Sequence, residues 1–294
     1  MTELTVKNAA KINLALDVTG RLPDGYHTIE SVFQTVGIYD EVTVKLTDAG
    51  ITVSCSVPEQ FSASDEIPCG ESNTAYKAAK LFFEKTGVNQ GCSIHIKKGV
   101  PSQAGMGGGS SDAAAVLYIL NKLCNTGLSP AELNETGKKI GADVPFFLIG
   151  GTACVSGIGE KIIPAADYSG RILLIAKGSG GVSTAEAYRK IDSLEAPEHP
   201  PVKQLVQAIN SGSGDEYRFF GNLFESAVQL ESVDFIKKTM TDCGALSAVM
   251  TGSGSAVFGL FSNTADAEKC AVILKAADCF AHVCTTVDSA FIEI

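Results

Sequence analysis

The stretch PSQAGMGGGSSDAAAVL, residues 101–117, places four glycines among its first nine residues and then continues into residues that favour a helix. Glycine in a helix costs roughly 0.5–1 kcal/mol relative to alanine, so the glycines at 107–109 are a cumulative disadvantage. A helix start, however, offers unpaired N–H groups and partial positive charge, and residues without Cβ let an anion come close. The stretch therefore predicts a phosphate-binding loop, with Ser110 and Ser111 available to the phosphate or its Mg²⁺.

Glycine content alone leaves a second interpretation open, a flexible linker followed by a helix capped with serine or aspartate. Two familiar nucleotide motifs do not describe the stretch. The sequence has no Gly-Lys-Ser/Thr, which excludes a Walker loop, and its glycine spacing is not that of the dinucleotide fingerprint.

The composition restricts the class of protein. A chain of 294 residues, 45% of them hydrophobic, is long enough for about two folded domains. The net charge of −10 and the lack of a Lys/Arg cluster argue against a nucleic-acid partner. The sequence shows neither a signal-peptide pattern nor about 18 consecutive apolar residues, so we expect no membrane partner and a cytoplasmic location.

Cysteine and histidine usage does not predict a metal site. The nine cysteines are scattered through apolar segments, and their number is odd, which is typical of reduced thiols. The four histidines are far apart, and the nearest cysteine pair, Cys279 and Cys284, lacks the spacing of a zinc knuckle. We therefore expect no dedicated metal site in the protein.

Residues 4–18 alternate between apolar and polar side chains, which predicts a strand with two different faces. The expected apolar face is formed by Ile12, Leu14, Leu16 and Val18, and the expected polar face by Lys11, Asn13 and Asp17. LPDGYH at 22–27 predicts a turn, because proline presets its φ and glycine accepts a positive one.

The rest of the chain mixes strands and helices and predicts an α/β fold. Separate strands are expected at 31–38, 42–47, 51–55, 92–97, 171–177, 246–251, 256–261 and 281–293. Helices are expected from Thr74 to Gly87, after Asp112, from the capping box at Ser129, and near 184–191, 201–210, 231–242 and 264–277. We place the domain boundary close to Gly157, giving domains of residues 1–157 and 158–294.

Four stretches together resemble the GHMP kinases, the family of galactokinase, homoserine kinase and mevalonate kinase. They are PSQAGMGGGSSDAA at 101–114, KINLALDVTGRLPDGYHTIESVFQTV at 11–36, GADVPFFL at 141–148 and MTGSGSAVFGLF at 250–261. The resemblance covers nearly the full length. It implies a two-domain fold with nucleotide and substrate in the cleft between the domains. It also implies a left-handed βαβ crossover in the first domain, against the general right-handed rule.

By this resemblance Asp143 is the catalytic carboxylate and Lys11 its partner. A primary alcohol is about as weak an acid as water, with a pKa of about 15.7, so a carboxylate cannot deprotonate it beforehand. It can orient the hydroxyl and accept the proton late, which suits a loose phosphoryl-transfer transition state. Without the resemblance, a helix cap for Asp143 and a solvated strand charge for Lys11 are the simpler interpretations.

The resemblance also implies the substrates, which are ATP, carrying Mg²⁺, and a cytidine-diphosphate sugar alcohol. Its expected acceptor contacts are Asn13 for hydroxyls or the cytidine end, Tyr26 and His27 for the base, and Tyr188 as a second stacking face. Its expected ATP contacts are Asn73, Lys98, Pro101, Gly105, Met106, Gly107, Gly108, Gly109, Ser110 and Ser111. Lys98, next to Lys97, is equally compatible with a solvated strand end. In the family, the turn formed by Thr251, Gly252, Ser253 and Gly254 faces the cleft. Taken alone, these residues are typical of a plain hairpin.

Two other functions stay open at this point. A family member with a different acceptor would phosphorylate homoserine or mevalonate, and a catalytically silent member would bind ATP as a sensor. The presence of both Lys11 and Asp143 counts against the sensor. Met106 stands where the family commonly has leucine, and no proline follows Lys177, which affects the path of the loop before Tyr188. We expect a monomer or a weak homodimer.

Overall fold

A computed structural model describes residues 1–58 and 67–294. The strands, β1 to β12 in chain order, are Glu3–Arg21, His27–Thr47, Ile51–Ser56, Gly91–Lys97, Thr152–Gly157, Lys161–Pro164, Ile172–Lys177, Gly221–Asn222, Ser247–Met250, Val257–Phe261, Phe280–Thr285 and Phe291–Glu293. The helices, α1 to α9, are Thr74–Thr86, Gly108–Leu123, Pro130–Lys138, Val144–Ile149, Thr184–Ile191, Val202–Ser211, Phe224–Ala227, Glu231–Asp242 and Thr264–Ala276, and a 3₁₀ turn spans Glu216–Phe219. Within these ranges no helix combines the length and the apolar character needed to cross a membrane.

The first sheet is built on β1 and β2, which pair antiparallel along almost their whole lengths. Its strand order is β12-β1-β2-β4-β3, with β5 on β2, β6 on β5 and β8 on β1. The prediction of separate strands at 31–38 and 42–47 was wrong, because β2 runs through both. Tyr39 pairs with Ala9 and Val36 with Ala10, so Gly37 and Ile38 form an irregularity that the ladder absorbs.

A β-bulge divides the side chains of β1 between two cores. Asn13 pairs with Phe33 and Ala15 with Val32, so Leu14 is an extra residue on its strand. Ile12 and Leu14 therefore pack in one core cluster, whereas Leu16 and Val18 pack in the other. The expectation of one continuous apolar face was wrong, and so was the grouping of Asp17 with Lys11 and Asn13. Asp17 instead hydrogen-bonds to the Nδ1 of His199 at 2.7 Å.

The second sheet has the order β11-β7-β10-β9 and packs against the first. One core cluster contains Ile12 and Val32 of the first sheet together with Ile175 and Phe258 of the second. The helices predicted at 74–86, 184–191 and 231–242 are confirmed. The capping box at Ser129 is confirmed too, because its hydroxyl accepts from the N–H of Glu132 while the Glu132 carboxylate accepts from the N–H of Ser129.

The chain returns to the first sheet after Gly157. Strands β6, β8 and β12 all belong to that sheet, although they follow the predicted boundary in sequence. The parallel neighbours β3 and β4 are joined through α1, which is the connection where the left-handed crossover is expected. The boundary near Gly157 and the handedness of this connection stay predictions.

Candidate active site

The glycine-rich loop leads directly into α2, and two of its glycines are part of the helix. Gly107 is the N-cap residue with φ 71°, and α2 begins at Gly108. No side chain caps this end, and no acidic residue lies in its first turn. The start of a buried 16-residue helix thus keeps its partial positive charge uncompensated by the protein.

Close contacts, one with backbone and one with a side chain, explain two of the glycines without any ligand. A Cβ on Gly105 would lie 2.3 Å from the carbonyl oxygen of Thr251, and its φ is +72°. A Cβ on Gly107 would lie 2.8 Å from the Cζ of Phe147. A Cβ on Gly108 would meet nothing closer than 3.4 Å. Gly105 and Gly107 are therefore required by packing and backbone conformation, whereas Gly108 is not.

A cavity of about 390 Å³ opens over the loop and the start of α2. The predicted ATP residues that line it are Asn73, Lys98, Pro101, Gly105, Met106, Gly107, Gly108, Gly109 and Ser110. Ser111 is not among the lining residues, because its buried hydroxyl donates to the carbonyl oxygen of Ala9 at 2.7 Å. Asn73 caps α1 by accepting from the N–H of Ala75, and its amide donates to the carbonyl oxygen of Pro68 at 2.7 Å.

Lys98 is held in a buried ion-pair cluster at one side of this cavity. Its ammonium contacts the carboxylate of Asp40 and lies 2.9 Å from the carboxylate of Asp112. The interpretation of Lys98 as a solvated strand end was wrong, because the side chain folds inward between two acidic partners. Asp40 also accepts from the N–H groups of Gly99 at 2.7 Å and Val100 at 2.8 Å.

The pKa values of Asp40 and Lys98 are both raised in this cluster. Burial and the neighbouring Asp112 charge raise the pKa of Asp40 to about 7, although Lys98 acts in the opposite direction. Burial by itself would lower the pKa of Lys98, but Asp112 and Asp40 together raise it. Lys98 therefore stays protonated, and its charge is already matched by carboxylates of the protein.

A second cavity, of about 280 Å³, lies on the other side of the glycine-rich loop. It is lined by the predicted residues Lys11, Asn13, Asp143 and Tyr188, and by Leu16, Ile29, Phe33, Gly105, Gly107, Ala142, Ile158, Thr184, Phe224, Gly252 and Ser253. Gly105 and Gly107 line both cavities. The two spaces thus meet at the loop, and the Lys11 and Asp143 pair faces the second one.

Lys11 and Asp143 form the charged centre of the second cavity. Their Nζ and Oδ2 atoms are 3.8 Å apart. Lys11 is buried, with Nζ 4.4 Å from the centre of the Phe33 ring. Burial lowers the pKa of Lys11, and the charge of Asp143 offsets part of that effect. Asp143 occupies the N-cap position of α4, but its side chain makes no capping hydrogen bond, which leaves the carboxylate free to face Lys11.

Asn13 is buried beside Lys11, and its polar atoms are all bonded within the protein. Its Oδ1 accepts from the Lys11 ammonium at 2.8 Å and from the N–H of Gly252 at 3.0 Å. Its Nδ2 donates to the hydroxyl of Ser31 at 3.0 Å, and its N–H donates to the hydroxyl of Thr251 at 2.9 Å. The structure therefore places Asn13 as a link between Lys11 and the 251–254 turn.

The rings expected to contact a base lie near the mouth of the second cavity. His27 stacks directly on Tyr188, with centroids 4.5 Å apart and planes at 16°. Phe224 packs edge-on against Tyr188 at 5.0 Å. Tyr26 is 61% exposed and stands outside this stack. Tyr188 is thus brought to the site as expected, but in the described conformation His27 occupies its stacking face.

Several side chains of the site escaped the sequence interpretation. Asp40, Asp112 and Asp192 each contact a predicted residue. Asp112 directly follows the glycine-rich loop and carries a local signal. Asp40 and Asp192 carry none, because they meet Lys98 and His27 only through the pairing of distant elements.

Comparisons with known proteins agree with this geometry. The GHMP kinases N terminal domain matches residues 73–151, and the GHMP kinases C terminal domain matches residues 203–278. A 4-diphosphocytidyl-2-C-methyl-D-erythritol kinase of Clostridium botulinum (strain Eklund 17B / Type B) is 40% identical over 91% of this chain and 94% of its own. The enzyme of the same name from Caldicellulosiruptor bescii is 42% identical over 92% of this chain and 94% of its own.

Solved structures give the same result. A crystal structure of 4-(cytidine 5'-diphospho)-2C-methyl-D-erythritol kinase superposes with a TM-score of 0.80 at 30% identity, covering 96% of this chain and 98% of the other. Homoserine kinase from Cytophaga hutchinsonii superposes with a TM-score of 0.78 at 20% identity, covering 100% of this chain and 98% of the other, and shares the fold. From its sequence and its fold, this chain belongs to the 4-diphosphocytidyl-2-C-methyl-D-erythritol kinase family of the GHMP kinases.

Proposed function

We propose that the protein transfers the γ-phosphoryl group of ATP to the 2-hydroxyl of 4-diphosphocytidyl-2-C-methyl-D-erythritol, a step of the non-mevalonate route to isoprenoid precursors. The observation that carries the proposal is the meeting of two cavities at Gly105 and Gly107, with Lys11 and Asp143 on the acceptor side. Phosphoryl transfer needs a donor and an acceptor in line across a short distance, and two adjoining cavities meet that need.

ATP belongs in the cavity over the start of α2. The uncapped helix end and the loop N–H groups suit the phosphates, and Gly108 and Ser110 line this cavity. In this proposal Lys98 does not bind phosphate as a free positive charge. Its ammonium is neutralised by Asp40 and Asp112, so we assign it to forming the cavity side.

Magnesium enters this proposal bound to ATP. Within residues 1–58 and 67–294 there is no group of three His, Cys, Asp or Glu side chains arranged to hold a metal ion. The Ser110 hydroxyl lines the nucleotide cavity and is the kind of hard oxygen ligand that Mg²⁺ accepts alongside water and phosphate oxygens. Bound there, the ion would neutralise charge on the phosphates.

Asp143 and Lys11 are assigned to the reacting centre. Asp143 orients the acceptor hydroxyl and takes its proton as the bond to phosphorus forms, while Lys11 lies beside that carboxylate and faces the moving phosphoryl group. Tyr188 is not a competing base. Burial and the charge of Asp143 raise its pKa to about 12, so its phenol keeps its proton at neutral pH.

The remaining assignments concern the residues that bind the acceptor, the cellular location and the oligomeric state. We assign Tyr26, His27 and Tyr188 to the cytidine end, since Tyr188 lines the second cavity, His27 stacks on Tyr188, and Tyr26 is the exposed residue next to His27. Asn13 supports Lys11 in this proposal and does not contact the hydroxyls directly. We also propose that the enzyme works in the cytoplasm, where ATP is available, as a monomer or a weak homodimer.

The first test is ADP release with Mg·ATP and each of three acceptors, namely the cytidine-diphosphate methylerythritol, homoserine and mevalonate. We expect turnover with the cytidine compound alone. Turnover with homoserine or mevalonate, and not with the cytidine compound, would mean that the assigned acceptor is wrong. ATP binding without turnover of any acceptor would refute the assigned reaction.

Asp143→Asn tests the reacting centre. We expect kcat to fall by about 10²- to 10⁴-fold, the usual contribution of a positioned acid or base, with the Kd for ATP changed less than about twofold. Asp167→Asn, at an exposed turn remote from both cavities, is the matched control and should keep full activity. An unchanged kcat in Asp143→Asn would remove that carboxylate from the mechanism.

A further inference from the structure

Asp192 contacts the imidazole of His27. It directly follows α5, and its Oδ1 lies 2.7 Å from the Nε2 of His27. Its Oδ2 lies 3.2 Å from Nη1 of Arg21, so both carboxylate oxygens are engaged. The ring plane is fixed independently by the stack on Tyr188. His27 is thus held in one position by two contacts of different kinds.

This arrangement decides which nitrogen of His27 carries the proton. A carboxylate accepts hydrogen bonds and does not donate them, so the Nε2 that faces Asp192 must be the N–H. In a neutral imidazole the other nitrogen, Nδ1, is then an acceptor. Among the described residues, no side chain or backbone group is bonded to Nδ1, which leaves this acceptor for a ligand.

We propose that Asp192 is a positioning residue for base recognition, fixing the Nε2–H tautomer of His27 so that Nδ1 accepts from an amino group on the bound base. This inference rests on the proposed function, which puts a cytidine at this end of the cavity. Cytosine carries an amino donor at C4, whereas uracil carries a carbonyl acceptor there. An acceptor at Nδ1 therefore bonds cytosine and faces the lone pairs of uracil, so the pair Asp192 and His27 selects the amino pyrimidine.

The test compares kcat/KM for the cytidine substrate with that for its uridine analogue. We expect wild type to prefer the cytidine compound, and Asp192→Ala to reduce this preference by at least about tenfold. The loss should appear in KM for the acceptor, with kcat for the cytidine substrate changed little. Glu186→Ala is the control, because it removes a carboxylate of the same helix that pairs only with Lys190 among the described residues.

Asp192→Asn gives a second, sharper outcome. Arg21 will attract the amide oxygen, which turns the amide N–H toward Nε2 and favours the opposite tautomer, so cytidine preference should fall at least as far as in Asp192→Ala. Tautomers are read from ¹⁵N shifts of labelled histidine, with His27 assigned through its loss in His27→Gln. We expect a single Nε2–H form in wild type and a mixture in Asp192→Ala.

The outcomes separate the two proposals. If wild type prefers cytidine and Asp192→Ala keeps both that preference and the single tautomer, the role of Asp192 is overturned and the reaction stands. If wild type turns over neither nucleotide, the proposed function fails, and base selection by His27 fails with it.

Discussion

The ammonium of Lys11 lies 3.8 Å from Asp143 and 4.4 Å from the centre of the Phe33 ring, in a position with little access to water. Its pKa is lowered from the ordinary 10.5 because burial penalises the charged form more than Asp143 stabilises it. A reaction that needs the charge should therefore decline at a lower pH than an exposed lysine would dictate.

Lys11→Arg tests this charge directly. Arginine stays protonated up to a pH of about 12, so the alkaline decline of kcat expected for wild type should disappear from the measured range. Its larger head group displaces the reacting centre, and we expect kcat at pH 7 to fall by about 10²-fold. The measurement is kcat from pH 6 to 10, with Lys97→Arg, an exposed lysine on β4, as the control. An alkaline limb that persists in Lys11→Arg would show that another group controls it.

Asp40 is a buried carboxylate with a pKa raised to about 7, first by burial and then by Asp112. An unfolded aspartate titrates near pH 3.9, so between about pH 4 and 7 the folded state holds a proton that the unfolded state has lost. The contribution of this group to the free energy of unfolding therefore decreases as pH rises through that window.

Asp40→Asn should flatten this part of the stability profile. The measurement is the free energy of unfolding in urea at several pH values from 4.5 to 7.5, compared with wild type. Asp48→Asn, an exposed carboxylate after β2, should keep the wild-type slope. An identical slope in Asp40→Asn and wild type would place the titrating group elsewhere.

The glycines near the start of α2 differ in role: packing requires Gly105 and Gly107, whereas we assign Gly108 to phosphate binding. Gly108→Ala should fold, since its Cβ would lie 3.4 Å from Lys98 and Val100, but the added methyl group narrows the phosphate side of the cavity. We expect the Kd for ATP to rise by roughly three- to tenfold, with the helix start itself intact.

Titration calorimetry measures the Kd for ATP of Gly108→Ala, and two other glycine variants serve as comparisons. Gly70→Ala adds a Cβ that meets nothing within 4 Å and should bind ATP normally. Gly105→Ala should lose stability even without ATP, because its Cβ would collide with Thr251. Wild-type affinity in a folded Gly108→Ala would mean that phosphate does not approach the helix there.

The two sheets are joined at the site by hydrogen bonds of two asparagine side chains. Asn13 on β1 accepts from the N–H of Gly252, and Asn222 on β8 donates to the carbonyl oxygens of Met250 at 2.6 Å and Gly252 at 2.8 Å. These hydrogen bonds fix the 251–254 turn against β1. Because Gly252 and Ser253 line the second cavity, they also maintain the shape of that cavity.

Asn13→Ala should disturb both stability and catalysis. It leaves the Gly252 N–H and the Lys11 ammonium without their buried acceptor, which costs about 1–3 kcal/mol for each unsatisfied group. Urea unfolding and kcat are the measurements, and Asn89→Ala, in an exposed loop, is the control. A stable variant with full kcat would show that water replaces the amide without loss.

Local sequence signals were enough for most helices and turns, but they divided β2 into two strands and did not predict the contacts between elements. Glycine spacing, the turn at 22–27 and the capping box at Ser129 each depend on neighbouring residues, and the structure has them as expected. Lys98 meets Asp40 across 58 residues and Asn13 meets Thr251 across 238, so these contacts depend on strand register and on the return of the chain. Only the family resemblance joined Lys11 to Asp143 in advance.

The bulge at Leu14 also has a consequence for the gene. Substituting this codon changes one buried side chain, but deleting it in frame would restore strict alternation along β1. Lys11, Asn13 and Leu16, which line the same cavity, would stay on one face, because removal of the extra residue leaves the flanking pairings unchanged. Loss of codon 12, by contrast, would make Lys11 and Asn13 chain neighbours on opposite faces, so deletion of codon 14 should be better tolerated than deletion of codon 12, a contrast that a library of single-codon deletions would reveal.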